Sequence, residues 1–275
     1  MEIPEYTNAN LMNKTFLDAA IQIAREAGQA LREELDRPAD IAYKGDFDLV
    51  TQADRRSEAI IVGRLREFFP EHSVAAEEGT GTDTGSEYRW HVDPLDGTTN
   101  FAHRYPCFCV SMALARKDQL LVGVVYNPVY DELSCAARGE GATLNGKQIR
   151  CSKISEMKNS LLCTGFPNHD RHSHPNIHYY WDFTLRSHGV RRDGSAALDL
   201  VSVASGRFDG FWEFGLKPWD TAAGVVIVEE AGGTVTDLDG QPYVLGGKSI
   251  LASNGLIHGE MKKLASELAK RTATA

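Results

Sequence analysis

The stretch Trp90-His91-Val92-Asp93-Pro94-Leu95-Asp96-Gly97-Thr98-Thr99-Asn100 holds an arrangement that core packing does not ask for: an apolar run ends in two aspartates three residues apart, then in Gly-Thr-Thr. Two carboxylates at a strand end, with Pro94 stiffening the turn between them, can aim at one point and hold one or two hard cations through oxygen. Gly97 lets the backbone approach a ligand closely, and a short helix starting there would leave the amides of Gly97 and Thr98 free to form an anion site. Cations beside free amides make a cradle for phosphate. An isolated D-x-x-D-G fits helix capping and a turn equally well, so other acidic positions carry weight. Val74-Ala75-Ala76-Glu77-Glu78-Gly79 ends a second apolar run in two glutamates, and Trp219-Asp220-Thr221 opens an apolar helix that runs into Glu229-Glu230-Ala231-Gly232-Gly233.

These residues need elements to place them. From about Asn10 to Leu35, Phe16, Ala20, Ile23, Ala27 and Leu31 recur at three- and four-residue steps, the period of one buried helical face. Asp54 is positioned to cap a second helix, whose Ile61, Leu65 and Phe68 precede a stop at Pro70. Short β-prone runs follow at Ser73 to Ala76, Tyr88 to Val92, Phe108 to Ala115, Leu120 to Tyr126 and Glu132 to Ala136; their connections are too short for crossover helices, which predicts a mostly antiparallel sheet. The later half alternates: strands at Leu161 to Thr164 and Phe208 to Glu213, helices near Ala196 to Ser205, Thr221 to Glu230 and Gly259 to Arg271. Helices and sheets are expected to stack in layers. No internal repeat, heptad or Pro/Gly/Ser-rich seam divides the chain.

Composition excludes some partners. Acidic residues outnumber basic ones 38 to 29, a formal charge of −9, so the surface as a whole repels nucleic acid and anionic lipid while suiting a pocket that gathers cations. The five cysteines are odd in number and contain no C-x-x-C pair, so they read as small buried hydrophobes in a reducing compartment rather than a disulfide framework or zinc site. Met1-Glu2-Ile3-Pro4-Glu5 is not a basic region leading into an apolar run, and no stretch reaches membrane-spanning length. A cytoplasmic location is expected.

At this point the sequence resembles the inositol monophosphatase family of lithium-sensitive, magnesium-dependent phosphomonoesterases. The matching stretches are Asp48-Leu49-Val50-Thr51 with Asp54, Glu77-Glu78, Asp93-Pro94-Leu95-Asp96-Gly97-Thr98-Thr99-Asn100-Phe101, Gly194-Ser195-Ala196-Ala197, and Trp219-Asp220 through Glu230-Ala231-Gly232-Gly233. The resemblance implies a layered α-β-α-β-α sandwich of mixed α/β class, a single catalytic domain over 1–275 in two closely packed halves (about 10–145 and 146–272), and a homodimer. It implies that Glu77, Asp93 and the carbonyl of Leu95 hold one magnesium, that Asp93, Asp96 and Asp220 hold a second, and that two or three ions serve in all. Thr98, paired with Asp48 and assisted by Glu77, would orient and deprotonate the attacking water. The amides of Gly97 and Thr98 would bind phosphate, and Asp96, Ala196, Glu213 and Asp220 would face the polyol. Physical chemistry agrees: carboxylates gathered this closely cannot all stay ionised without cations, because each like-charged neighbour raises a pKa by about a unit or more.

Other features have plainer readings. His169, His172, His174 and His178 crowd a polar segment that fits a solvated loop entering a helix near Ile177 to Leu185. Arg138-Gly139-Glu140-Gly141-Ala142 superficially looks like a phosphate loop, but Asn145-Gly146 follows as a hairpin turn. Lys217 stands where animal members of the family often carry histidine; with Thr164-Gly165-Phe166-Pro167 this points to the bacterial branch, with inositol monophosphate the expected substrate and fructose-1,6-bisphosphate, histidinol phosphate and 3′-phosphonucleotides the alternatives of the same chemistry. A role of another class is an interaction partner of the RNA transcription machinery.

Overall fold

The three-four spacing of the first segment becomes helix α1 (Asn8–Leu35), with Phe16, Ala20, Ile23, Ala27 and Leu31 buried along one face. We describe the protein from a computed structural model that covers residues 8–35, 41–43, 49–166 and 174–272. Strands β1 (Ile41–Tyr43) and β2 (Leu49–Thr51) pair antiparallel and lead into α2 (Gln52–Phe68). The cap of α2 is Thr51 rather than the expected Asp54. The Thr51 hydroxyl accepts from the Ala53 amide at 3.1 Å, while Asp54 reaches back to take the Thr51 amide at 2.7 Å, so two otherwise orphaned donors are satisfied reciprocally.

A seven-stranded sheet lies against these helices. Its strands, β3 (Ser73–Ala76), β4 (Tyr88–Asp96), β5 (Cys109–Arg116), β6 (Gln119–Asn127), β7 (Glu132–Ala137), β8 (Gly141–Leu144) and β9 (Lys147–Gln148), stand side by side in chain order. Only β3 and β4 run parallel; every other neighbour is antiparallel, as the short connections require. Strands β5 and β6 are buried on both faces, the mark of a sheet covered from two sides.

After α3 (Thr98–Ala102) and these strands, the chain builds a second sheet from β10 (Leu161–Thr164), β11 (Gly189–Arg191), β12 (Gly210–Phe214), β13 (Thr234–Thr236) and β14 (Ser249–Ser253), in spatial order β11-β10-β12-β14-β13. Between the sheets lie α5 (Ala196–Ala204) and α6 (Pro218–Glu230). Every residue of α6 from Thr221 to Val228 is buried, as befits a helix with sheet on both sides. On the far face sit α4 (Asn176–Arg186) and α7 (His258–Thr272). Three apolar clusters match the three contacts: α1 and α2 on the first sheet, α5 and α6 between the sheets, α4 and α7 on the second. The expected α-β-α-β-α layering is what the chain adopts.

Two smaller expectations also resolve. The five cysteines are all free. The amides of Gly139 and Gly141 donate to the Glu230 carboxylate at 3.0 and 2.9 Å, and Arg138 pairs with Glu229, so this glycine-rich turn is filled by the protein's own side chains. No helix among the described residues is long and apolar enough to cross a membrane.

Candidate active site

In a regular strand, residues three apart point to opposite faces, which would separate Asp93 from Asp96. Strand β4 resolves this with a bulge. Asp93 pairs with Ser111 and Asp96 with Cys109, so three steps on β4 oppose two on β5, and the extra residue brings both carboxylates to one side. The expected turn at Pro94 is therefore an irregular stretch inside a strand that continues to Asp96; a bulge tolerates a proline that cannot donate to the ladder. The Ser57 hydroxyl fixes the bulge by donating to the Pro94 carbonyl at 2.7 Å.

Parallel pairing supplies the next carboxylate. Ala76 of β3 lies beside Val92 of β4, and the Glu77 amide continues the ladder to the Val92 carbonyl at 3.2 Å, which brings Glu77 alongside Asp93. A fully buried carboxylate one layer back holds this corner: Glu58 accepts from the amides of Glu78 and Thr80 at 2.7 and 3.0 Å and from the Thr80 hydroxyl at 2.7 Å. Asp220 comes from the first turn of α6, where its Oδ2 takes the Lys217 amide at 2.7 Å.

Beyond Asp96 the chain turns sharply into α3. Gly97 has φ of 95°, and a Cβ there would meet the Cys107 carbonyl oxygen at 2.8 Å, so both conformation and space call for glycine. The first amides of α3 have no partner within the helix. Thr98 opens it, and its hydroxyl faces two acceptors at 3.1 Å, Oδ1 of Asp54 and the Leu95 carbonyl. Asp48, the expected partner of Thr98, lies outside the described residues, as do His169 and His172.

The second half of the chain closes over this edge. Oδ2 of Asp96 accepts from the Ser195 hydroxyl at 2.6 Å and the Ala197 amide at 2.7 Å, sitting as the anion at the head of α5. Asn100 Nδ2 meets the carbonyls of Cys107 and Asp193 at 2.6 and 2.7 Å. The outcome is one cavity of about 200 Å³, whose lining includes Glu77, Asp93, Leu95, Asp96, Gly97, Thr98 and Asp220 together with Gly165, Phe166, Arg192, Ala196, Asp199, Glu213 and Leu216. All described residues expected at the site from sequence meet there. Ser57, Glu58 and Asp199 were not expected to serve it, and Asp54 was expected only as a helix cap and as part of the family-like stretch that begins at Asp48.

The electrostatics are those of gathered carboxyls. Burial first, then the charges of Glu77, Asp96 and Asp220, push Asp93 well above the usual carboxylate range. Burial also raises Asp96, opposed by its bonds from Ser195 and the α5 amides. Asp220 is pushed up to about 7 by burial and by Asp96, and Glu213 up to about 8 by burial, Asp220 and Asp96, with Arg192 opposing. Among the described residues no three His, Cys, Asp or Glu side chains form a closed metal cage; the carboxylates share a cavity rather than a finished coordination sphere. Their chemistry still fits a hard cation. The donors are all oxygens, their repulsion calls for positive charge, and Oδ1 of Asp220 has no protein donor among the described residues.

Comparison with known proteins agrees with this geometry. Residues 12–273 match the profile of the Inositol monophosphatase family. An inositol-1-monophosphatase of Synechocystis is 46% identical over 257 residues, 91% of this chain and 88% of that protein. A Pseudomonas aeruginosa protein named Nus factor SuhB is 42% identical over 246 residues, 86% of this chain and 91% of its own length. The solved structure of inositol monophosphatase from Anabaena superposes with a TM-score of 0.84 at 45% identity, covering 92% of this chain and 96% of that one. A match along nearly the whole length, carried by a fold and a carboxylate-lined cavity of the expected kind, makes this chain a member of the inositol monophosphatase family and a phosphatase.

Proposed function

We propose that this phosphatase hydrolyses inositol monophosphate to inositol and phosphate with magnesium as its cofactor. The observation that carries the reading is the shared cavity: Glu77, Asp93, Asp96 and Asp220 line it together with Ala196 and Glu213. Glu77, Asp93 and the Leu95 carbonyl are assigned to one ion, and Asp93, Asp96 and Asp220 to another, among two or three in use. When bound, such ions offset charge on the phosphoryl and leaving oxygens and acidify a water.

The chain's own residues do the rest. The amides of Gly97 and Thr98 hold phosphate oxygens at the start of α3. Thr98, with Glu77, Asp48 and the acceptor Asp54, orients the attacking water and relays its proton. Glu213, buried at the cavity, offers carboxyl oxygens to the polyol hydroxyls, and Ala196 lines the same cavity. In this reading the chain acts as one catalytic domain and a homodimer in the cytoplasm, inhibited by lithium competing at the second cation site.

A phosphate-release panel tests it: inositol monophosphate, fructose-1,6-bisphosphate, histidinol phosphate and a 3′-phosphonucleotide at fixed magnesium, with and without EDTA. Inositol monophosphate is expected to be turned over fastest and EDTA to abolish turnover; near-zero hydrolysis of it beside rapid hydrolysis of another substrate overturns the assignment. The Nus-factor name of one relative motivates a second role in the transcription machinery. An Asp93→Asn variant that loses phosphatase activity yet keeps a full cellular phenotype would favour that role.

A further inference from the structure

Glu213 is 6% exposed, faces the cavity, and receives no hydrogen bond from any described residue, so something other than a protein donor must fix where its carboxyl lies. The backbone of Gly165 is in direct contact with it. A Cβ built on Gly165 would overlap both carboxyl oxygens of Glu213 and its Cδ. Gly165 is not among the glycines with positive φ, so its backbone conformation is open to other residues and the missing side chain is required for space alone.

The peptide at Gly165 is itself held firmly. Asn176, fully buried at the start of α4, donates through Nδ2 to the Gly165 carbonyl at 2.6 Å and to the Thr164 hydroxyl at 3.0 Å, while its Oδ1 takes the Trp212 indole N–H at 2.6 Å. Thr164 closes the ring by donating to the Trp212 carbonyl at 2.6 Å. Trp212 directly precedes Glu213 on β12, and Thr164 directly precedes Gly165 at the end of the neighbouring β10. One buried polar ring thus fixes the wedge and the carboxyl against each other.

We propose that Gly165 is a specificity-determining position: its bare Cα sets the depth of the Glu213 carboxyl in the cavity and so decides which hydroxyl pattern is accepted. The proposal rests on Glu213 being the polyol contact, as assigned above. An added methyl group drives the carboxyl toward the substrate. The penalty then falls on substrates whose hydroxyls Glu213 reads, and spares a phosphate ester with none.

The test is a double-mutant cycle of Gly165→Ala and Glu213→Ala, assayed on myo-inositol 1-phosphate and on p-nitrophenyl phosphate, with thermal melts in magnesium to confirm folding. Gly165→Ala is expected to lower the ratio of kcat/KM for the inositol ester to that for the nitrophenyl ester about 10- to 100-fold, mainly through KM, and to add little further loss once Glu213 is Ala. Equal loss on both esters, or full additivity with Glu213→Ala, overturns it. Should the wild-type enzyme prefer another phosphorylated polyol, the substrate assignment fails by itself, and the same cycle on that compound still decides the role of Gly165.

Discussion

The Thr98 hydroxyl stands 3.1 Å from Oδ1 of Asp54, whose other oxygen takes the Thr51 amide and hydroxyl at 2.7 and 2.6 Å. One buried carboxylate therefore completes the capping box that Thr51 opens on α2 and steadies the hydroxyl assigned to the attacking water. Asp54→Asn keeps the size but turns one acceptor into a donor. The expected result is a fall in kcat of about 10- to 100-fold from lost positioning, with about 1 kcal/mol of capping lost and a drop of roughly 2–4 °C in melting temperature. Phosphate release and a thermal melt measure the two; an unchanged kcat would show that Thr98 does not depend on Asp54.

Glu58 touches nothing in the cavity, yet three donors from the Glu78–Thr80 corner end on it. Glu58→Ala takes the acceptor from two part-buried amides, at no more than about 1–3 kcal/mol each. Because Glu77 belongs to that corner, the magnesium concentration for half-maximal activity is expected to rise several-fold. A titration that leaves it unchanged while the protein is destabilised would confine Glu58 to a structural role.

Stability in the absence of cations should fall with rising pH. Asp220 and Glu213 are held up to about 7 and about 8, above an unfolded value near 4, so the folded state binds the extra protons. Their contribution is present in full below about pH 4, is lost as pH climbs toward 7 and 8, and is gone beyond. Each group contributes about 1.4 kcal/mol per pH unit inside its window. Melting temperatures in EDTA should decline from pH 5 to 8, and Glu213→Gln should flatten part of that decline; a rise over this range contradicts the account.

Asp93 bears repulsion from three neighbouring carboxyls. Asp93→Asn removes it, so in EDTA the variant is expected to melt a few degrees above the wild type, while phosphate release falls about 100-fold or more. The stabilisation that magnesium gives the wild type should largely vanish. Calorimetry with and without magnesium reads all of this, and a variant that melts lower in EDTA would show that the like charges are not a burden on the fold.

The long periodic segments were legible because their buried faces repeat: α1 shows its five apolar positions, and β10 falls on Leu161–Thr164, the expected run. The end of β4 was not, since Asp93, Pro94 and Asp96 read as a turn and only the pairing with β5 reveals a bulge. Strand β14 escaped notice because five residues with serine at either end carry little strand signal, although it pairs on both sides. Five carboxylates of the site, Glu77, Asp93, Asp96, Glu213 and Asp220, were legible from motif resemblance. The part played by Glu58 and the contact of Asp54 with Thr98 were not, because a helix face shows that the two are neighbours but not that residues 20 to 44 positions away would meet them.

The bulge in β4 makes chain length between Asp93 and Asp96 as consequential as the residues themselves. An ordinary ladder over the same three steps would turn one of the two aspartates to the opposite side of the sheet, so the site depends on the extra residue being taken up as a bulge even with every acidic side chain present.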